Sequence, residues 1–95
     1  MKNPAVYIMA SKRHGTLYVG VTSHLVQRVH QHKNGEVAGF TKMYDCKILV
    51  YYEQHATMEE AILREKQIKA GSRIKKISLI NTINPTWKDL YQELY

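Results

Sequence analysis

The chain has a single cysteine among its 95 residues. That excludes an internal disulfide framework and any cysteine-based zinc site. Cys46 is expected to act as a small, partly buried apolar residue. No run of about 18 apolar residues occurs, so no membrane-spanning helix is expected. The first residues lack the apolar stretch of a secretory leader, and a reduced, cytoplasmic setting is expected. There is no internal repeat, linker or low-complexity segment. Acidic residues are scarce: eight Asp and Glu stand against fourteen Lys and Arg, a net charge of +6. A small basic domain commonly meets nucleic acid or an anionic membrane surface, although a basic surface without a partner is the plain alternative. Apolar residues make up 44% of the chain, as in ordinary folded proteins. A single domain over residues 1–95 is expected.

The organising stretch is Val6-Tyr7-Ile8 followed by Leu17-Tyr18-Val19-Gly20-Val21-Thr22. Residues 5–11 and 16–22 are rich in β-branched and aromatic side chains, and Lys12-Arg13-His14-Gly15 between them reads as a hairpin connection. Side chains alternate faces along a strand. With an even turn, Tyr7 shares a face with Tyr18 and Gly20. Val6, Ile8, Leu17, Val19 and Val21 then form an apolar core face. Gly20 leaves a gap on the tyrosine face for close approach.

Thr22 or Ser23 is expected to cap a helix over 24–34 that Gly35 ends. Leu25, Val26 and Val29 form its apolar stripe, with Arg28 and His32 on or beside the buried edge. Residues 35–47 read as a glycine-punctuated loop. Residues 47–54 read as a third strand, apolar on both faces and therefore central or well covered. Thr57-Met58-Glu59-Glu60 is a capping box that opens a helix to about Ala70, stopped by Gly71. Its stripe is Met58, Ala61, Ile62 and Ile68, and Glu65 falls inside it. An inward carboxylate calls for a cation, a metal or several donors, and pairing with Lys69 one turn on is the bland alternative. Ser72 is expected to cap a helix from Arg73 to Ile83, with Ile74, Ile77, Leu79 and Ile80 apolar. Asn84 before Pro85 reads as the N-cap of a short terminal helix over 88–95. His14, His24, His30 and His55 read as surface residues. Residues 61–83 carry six cations and Glu65 as their only acid, a composition suited to a phosphate backbone beside a metal ligand.

Together these motifs resemble the GIY-YIG nuclease domain, and in particular its small stand-alone bacterial members. The first motif stands as Ala5-Val6-Tyr7 and the second as Tyr18-Val19-Gly20. Arg28, His32 and Glu65 follow in the family's order, and the resemblance extends over essentially the whole chain. It implies an α+β fold: a small three-stranded antiparallel sheet flanked by helices. It implies a metal-dependent endonuclease hydrolysing DNA phosphodiesters in repair, recombination or processing, with Mg²⁺ or Mn²⁺ as cofactor and Glu65 as metal ligand. Tyr7, Tyr18, Arg28 and His32 are the implied catalytic residues. Lys33, Lys42, Lys69 and Arg73 are expected to contact nucleic acid. DNA is the expected partner, with RNA as an alternative; no membrane and no small-molecule cofactor are expected, and the oligomeric state is open. A non-catalytic nucleic-acid-binding module of the same fold is the rival reading.

Overall fold

The structure is a computed structural model that describes residues 3–37 and 39–94. It contains β1 (Ala5–Ala10), β2 (Leu17–Thr22), α1 (Leu25–Lys33), α2 (Phe40–Tyr44), β3 (Ile48–Gln54), α3 (Met58–Ala70), α4 (Arg73–Ile83) and a final 3₁₀ segment, Leu90–Leu94. The three strands form one antiparallel sheet in the order β2-β1-β3. The expected α+β architecture is therefore present.

The central strand is β1; the 47–54 segment, expected as central or well covered, is the covered edge strand. All six β1 residues are buried, as a strand paired on both edges and covered on both faces requires. β3 is an edge strand, and its apolar character has two other causes. Its two faces feed two separate cores. It is also irregular, since Ile8 pairs with Tyr51 but Met9 pairs with Leu49. Val50 is the extra residue of this bulge, so Val50 and Tyr51 both join one core while Leu49 joins the other.

One core packs Val6, Ile8, Ala10 and Val19 against Ala61 and Ile68 of α3, Ile80 of α4 and Trp87. The other packs Ala5, Tyr7, Met9 and Leu49 against Leu25 and Val29 of α1, Cys46 and Leu90. The expected apolar face of the hairpin is real. The tyrosine face, however, is equally a core face. Cys46 is fully rather than partly buried, and its thiol donates a weak bond to the Thr16 carbonyl at 3.7 Å.

Local chemistry explains the helix boundaries. Thr57 accepts from the Glu60 amide and Ser72 from the Lys75 amide, each at 3.2 Å, so α3 and α4 start where capping predicts. The expected stripes are broader than the buried ones: Ile62 is 37% and Ile74 77% exposed. α1 departs from expectation, because its N-cap is His24, which makes no side-chain cap bond. Thr22 instead accepts from the His24 amide at 3.0 Å, one residue before the helix. The segment expected as loop contains the five-residue α2, and Gly35 and Gly39 before it adopt positive φ of 69° and 90°.

Asn84 does not cap a terminal helix. It ends α4 and is buried. Its side-chain amide donates to the carbonyls of Val50 (3.1 Å) and Lys88 (2.8 Å), and its oxygen accepts from the Lys88 amide (3.1 Å). The side chain thus ties α4, the β3 bulge and the C-terminal segment together. The residues beyond it form the 3₁₀ segment rather than an α-helix; Tyr95, at the end of the expected helix, lies outside the described residues. Asp89 anchors this segment over the outer edge of β3, where it accepts from the Leu49 amide at 3.2 Å and pairs with Lys33.

Candidate active site

The hairpin register places Tyr7 opposite Gly20 and Met9 opposite Tyr18. Opposed residues share a face, so Tyr7, Gly20 and Tyr18 lie together as parity requires. The six residues 11–16 join the strands, an even number. The two tyrosine rings are 6.3 Å apart, and His32 of α1 completes a triangle, 5.5 Å from Tyr7 and 5.4 Å from Tyr18. The Tyr7 hydroxyl and His32 Nε2 share a hydrogen bond of 2.8 Å. Gly20 permits this packing: a Cβ there would come within 2.5 Å of the Tyr7 Cζ and hydroxyl.

His32 is 3% exposed, although it was placed only at the edge of the apolar stripe. Burial, reinforced by the Arg28 charge, lowers its pKa from 6.5 to about 4, so the ring is neutral near pH 7. Its Nδ1 is buried with no hydrogen-bond partner among the described residues. Burial raises the Tyr7 pKa from 10.0 to about 12. Arg28 opposes that rise through hydrogen bonding and charge, whereas Tyr18 and Glu65 add to it. The resting phenol is therefore protonated. Arg28 is half-buried, and its Nη1 donates to Gln31 Oε1 at 3.3 Å. It borders a cavity of about 280 Å³ with Thr22, His24 and Gln31.

Glu65 approaches from the other side of the sheet. α3 packs its Ala61 and Ile68 into the core opposite the tyrosines, yet the Glu65 carboxylate still acts electrostatically on Tyr7. The site thus forms along the free edge of β2, where elements from both faces meet. The Glu65 side chain is 14% exposed and pairs with Lys69 at 3.3 Å. The inward placement and the bland Lys69 pairing hold together. No group of three or more His, Cys, Asp or Glu that could hold a metal occurs among the described residues. A single shielded carboxylate does not suit a cage of protein ligands. It does suit a Mg²⁺-type ion that keeps most of its waters and is shared with a phosphate.

The four expected nucleic-acid cations are placed differently from one another. Lys69 lines a cavity of about 310 Å³ with Tyr18, Leu17, Val19 and Lys76. Lys42 is exposed on α2. Arg73 donates to the carbonyls of His14 (2.8 Å) and Gly15 (2.7 Å), fastening the hairpin loop to α4. Lys33 pairs with Asp89, donates to the Lys47 carbonyl at 3.0 Å and lies 5.1 Å from the Tyr91 ring. The structure therefore brings Tyr7, Tyr18, Arg28, His32, Glu65 and Lys69 to one edge and leaves Lys33 and Arg73 holding the fold. Lys76 was not anticipated. It caps the C-terminal carbonyls of α3, donating to Gly71 at 2.6 Å, and so stands beside Tyr18; its only sequence signal was membership of the 61–83 basic run.

The α+β fold is that of a nuclease-type domain, as its match to a catalytic-domain family shows. The profile of the GIY-YIG catalytic domain matches residues 3–78. The chain belongs to the GIY-YIG family. It is 41% identical over 76 residues to a UPF0213 protein of Staphylococcus saprophyticus, covering 80% of this chain and 92% of that one. It is 39% identical over 80 residues to a UPF0213 protein of Staphylococcus aureus, covering 84% and 96%. The solution NMR structure of a UPF0213 protein from Bacillus halodurans is similar at 29% identity and a TM-score of 0.57, over 92% of each chain. No helix of the described residues is long and apolar enough to cross a membrane.

Proposed function

We propose that this chain is a metal-dependent endonuclease hydrolysing DNA phosphodiester bonds, a single cytoplasmic domain over residues 1–95 that serves repair, recombination or processing. The observation that carries this reading is the Tyr7 hydroxyl bonded to a neutral His32, next to Arg28 and within the field of Glu65. A buried packing tyrosine needs one hydroxyl partner, but not an arginine and a carboxylate acting on it as well.

Hydrolysis requires an activated water, charge stabilisation at phosphorus and departure of an oxygen. When the Tyr7 hydroxyl donates to His32 Nε2, its oxygen can still accept a hydrogen bond; the ring is 1% exposed, so the attacking water must reach it as the substrate binds. As the water–phosphorus bond forms, the water proton passes to Tyr7 and the phenol proton to His32 Nε2. The P–O bond to the leaving oxygen then breaks, that oxygen takes a proton from solvent, and His32 returns its proton to solvent through the Tyr7 hydroxyl. Arg28 binds a non-bridging oxygen and offsets its growing charge. Tyr18 orients the phosphate, and Lys69 and Lys76 hold the adjoining backbone. A divalent cation, Mg²⁺ or Mn²⁺, held by Glu65 would supply positive charge that lowers the phenol pKa and neutralises the phosphate.

One observation favours a second reading, a non-catalytic nucleic-acid-binding module: Glu65 already pairs with Lys69. The experiment that separates the two incubates the protein with labelled single-stranded, duplex and branched DNA, and an RNA, in Mg²⁺, Mn²⁺ or EDTA. Metal-dependent cleavage that Glu65→Ala abolishes is expected. Salt-sensitive binding without cleavage of any substrate would establish the binding module instead.

A further inference from the structure

Gly71-Ser72 joins α3 to α4, and residues of both helices line a groove of about 340 Å³. Arg64, Gln67, Ile68 and Gly71 supply one wall; Ile74, Lys75, Ser78, Leu79 and Thr82 form the other, with Lys76 at its end. The α4 residues 74, 78 and 82 recur one turn apart, so this wall is a continuous stripe about 12 Å long, two helical turns. Ser78, Thr82 and Gly71 are small and keep the floor open. Ile74 stands 77% exposed at the rim. Apolar exposure of this kind on a small domain marks an interaction site.

Charge decides the occupant. Among the described lining residues none is acidic. Arg64 is met from behind by Glu53, 2.7 Å away, but Lys75 and Lys76 face no carboxylate among the described residues. Lys76 spends its donors on backbone carbonyls and keeps its charge. A second copy of this chain seated by two-fold symmetry would set Lys75 and Lys76 against themselves, which disfavours self-association here. A phosphate backbone suits the cations but leaves Ile68, Ile74 and Leu79 without apolar contact. An amphipathic helix with leucine-type residues on one face and glutamates flanking it satisfies both features.

We propose that the α3–α4 groove is a docking site for an acidic amphipathic helix of a partner protein, in a helix-in-groove mode. The groove contains none of Tyr7, Tyr18, Arg28, His32 or Glu65, so the inference stands whether or not the chain cleaves DNA.

The test uses the full chain, isotopically labelled for amide NMR, and a synthetic two-to-three-turn helical peptide with leucines at positions i, i+4 and i+7 and glutamates beside them. Two control peptides replace the leucines by serine or the glutamates by lysine. The parent peptide is expected to shift amides of residues 67–82 and to bind about tenfold more tightly than either control. Ile74→Glu and Lys75→Glu, both on exposed positions, are expected to weaken it about tenfold and a few-fold while Tm and DNA cleavage stay at wild-type values. The proposal fails if the serine peptide binds equally, if the shifts map to Arg28 and Tyr18 instead, or if either variant binds as wild type does. It also fails if a short oligonucleotide displaces the peptide from residues 67–82, or if the free chain forms dimers that Ile74→Glu dissociates.

Discussion

Gly20→Ala isolates the closest contact in the site. The added Cβ would stand 2.5 Å from both the Cζ and the hydroxyl of Tyr7, and 2.9 Å from Cε1. Ordinary contact needs about 3.5–4.0 Å, so the ring must retreat by roughly 1 Å. A loose side-chain tip would yield cheaply, but Tyr7 is 1% exposed and bonded to His32 at 2.8 Å. Its displacement stretches that bond and presses on the second core. Overpacking of this kind costs about 1–3 kcal/mol, and losing the hydrogen bond adds ~1 kcal/mol. We therefore expect a loss of about 2–4 kcal/mol in urea unfolding. A misplacement of ~1 Å at a reacting group is worth on the order of 100-fold in rate, so cleavage should fall by that factor even where the variant is fully folded. Wild-type stability together with wild-type cleavage would refute the packing argument.

Other perturbations separate fold from function. The unfolded His32 takes up a proton near pH 6.5 and the folded one only near 4. Its contribution to stability is thus complete above pH 6.5 and is lost as pH falls toward 4, on the order of 3 kcal/mol in all; urea titrations at pH 8, 6 and 4.5 should show this slope, and His32→Asn should flatten it. Asn84→Ala removes three hydrogen bonds, one buried and two partly buried, and should cost about 2–4 kcal/mol by thermal melting while leaving the residual rate per folded molecule intact. Arg28→Ala should lower cleavage by about 100-fold or more with a stability change of no more than about 1–2 kcal/mol, because the guanidinium is only half-buried and its bonds are to Gln31 and the Tyr7 hydroxyl; equal losses of rate and stability would make it a structural residue.

Local signals carried much of the fold. Thr57 and Ser72 announce α3 and α4 because each cap bond spans three residues. The alternation of β1 and β2 places Tyr7, Gly20 and Tyr18 on one face without any knowledge of the rest. Errors arose, or alternatives stayed open, where the deciding partner lies far along the chain. β3 reads as central or well covered because its apolar run is dense; it is the covered edge strand, and that density reflects a bulge and two separate cores. Asn84-Pro85 has the form of a cap, but the Asn84 amide is claimed by Val50, 34 residues away. The Tyr7–His32 bond spans 25 residues, so helix periodicity could bring His32 only as far as the edge of a buried stripe. Lys33 looked like any other exposed lysine because its partner Asp89 is supplied by the C-terminal segment.

The central claim is that Tyr7 and Glu65 serve chemistry rather than packing. Single-turnover cleavage of a DNA that the wild type cuts, measured for wild type, Tyr7→Phe and Glu65→Gln at saturating protein and varied Mg²⁺, tests it most directly, with Tm recorded for each. The account predicts rates lowered by about 100-fold or more in both variants at every Mg²⁺ concentration. It also predicts DNA binding within a few-fold of wild type and a Tm fall accounting for no more than ~1–2 kcal/mol. Cleavage by either variant at the wild-type rate would contradict it.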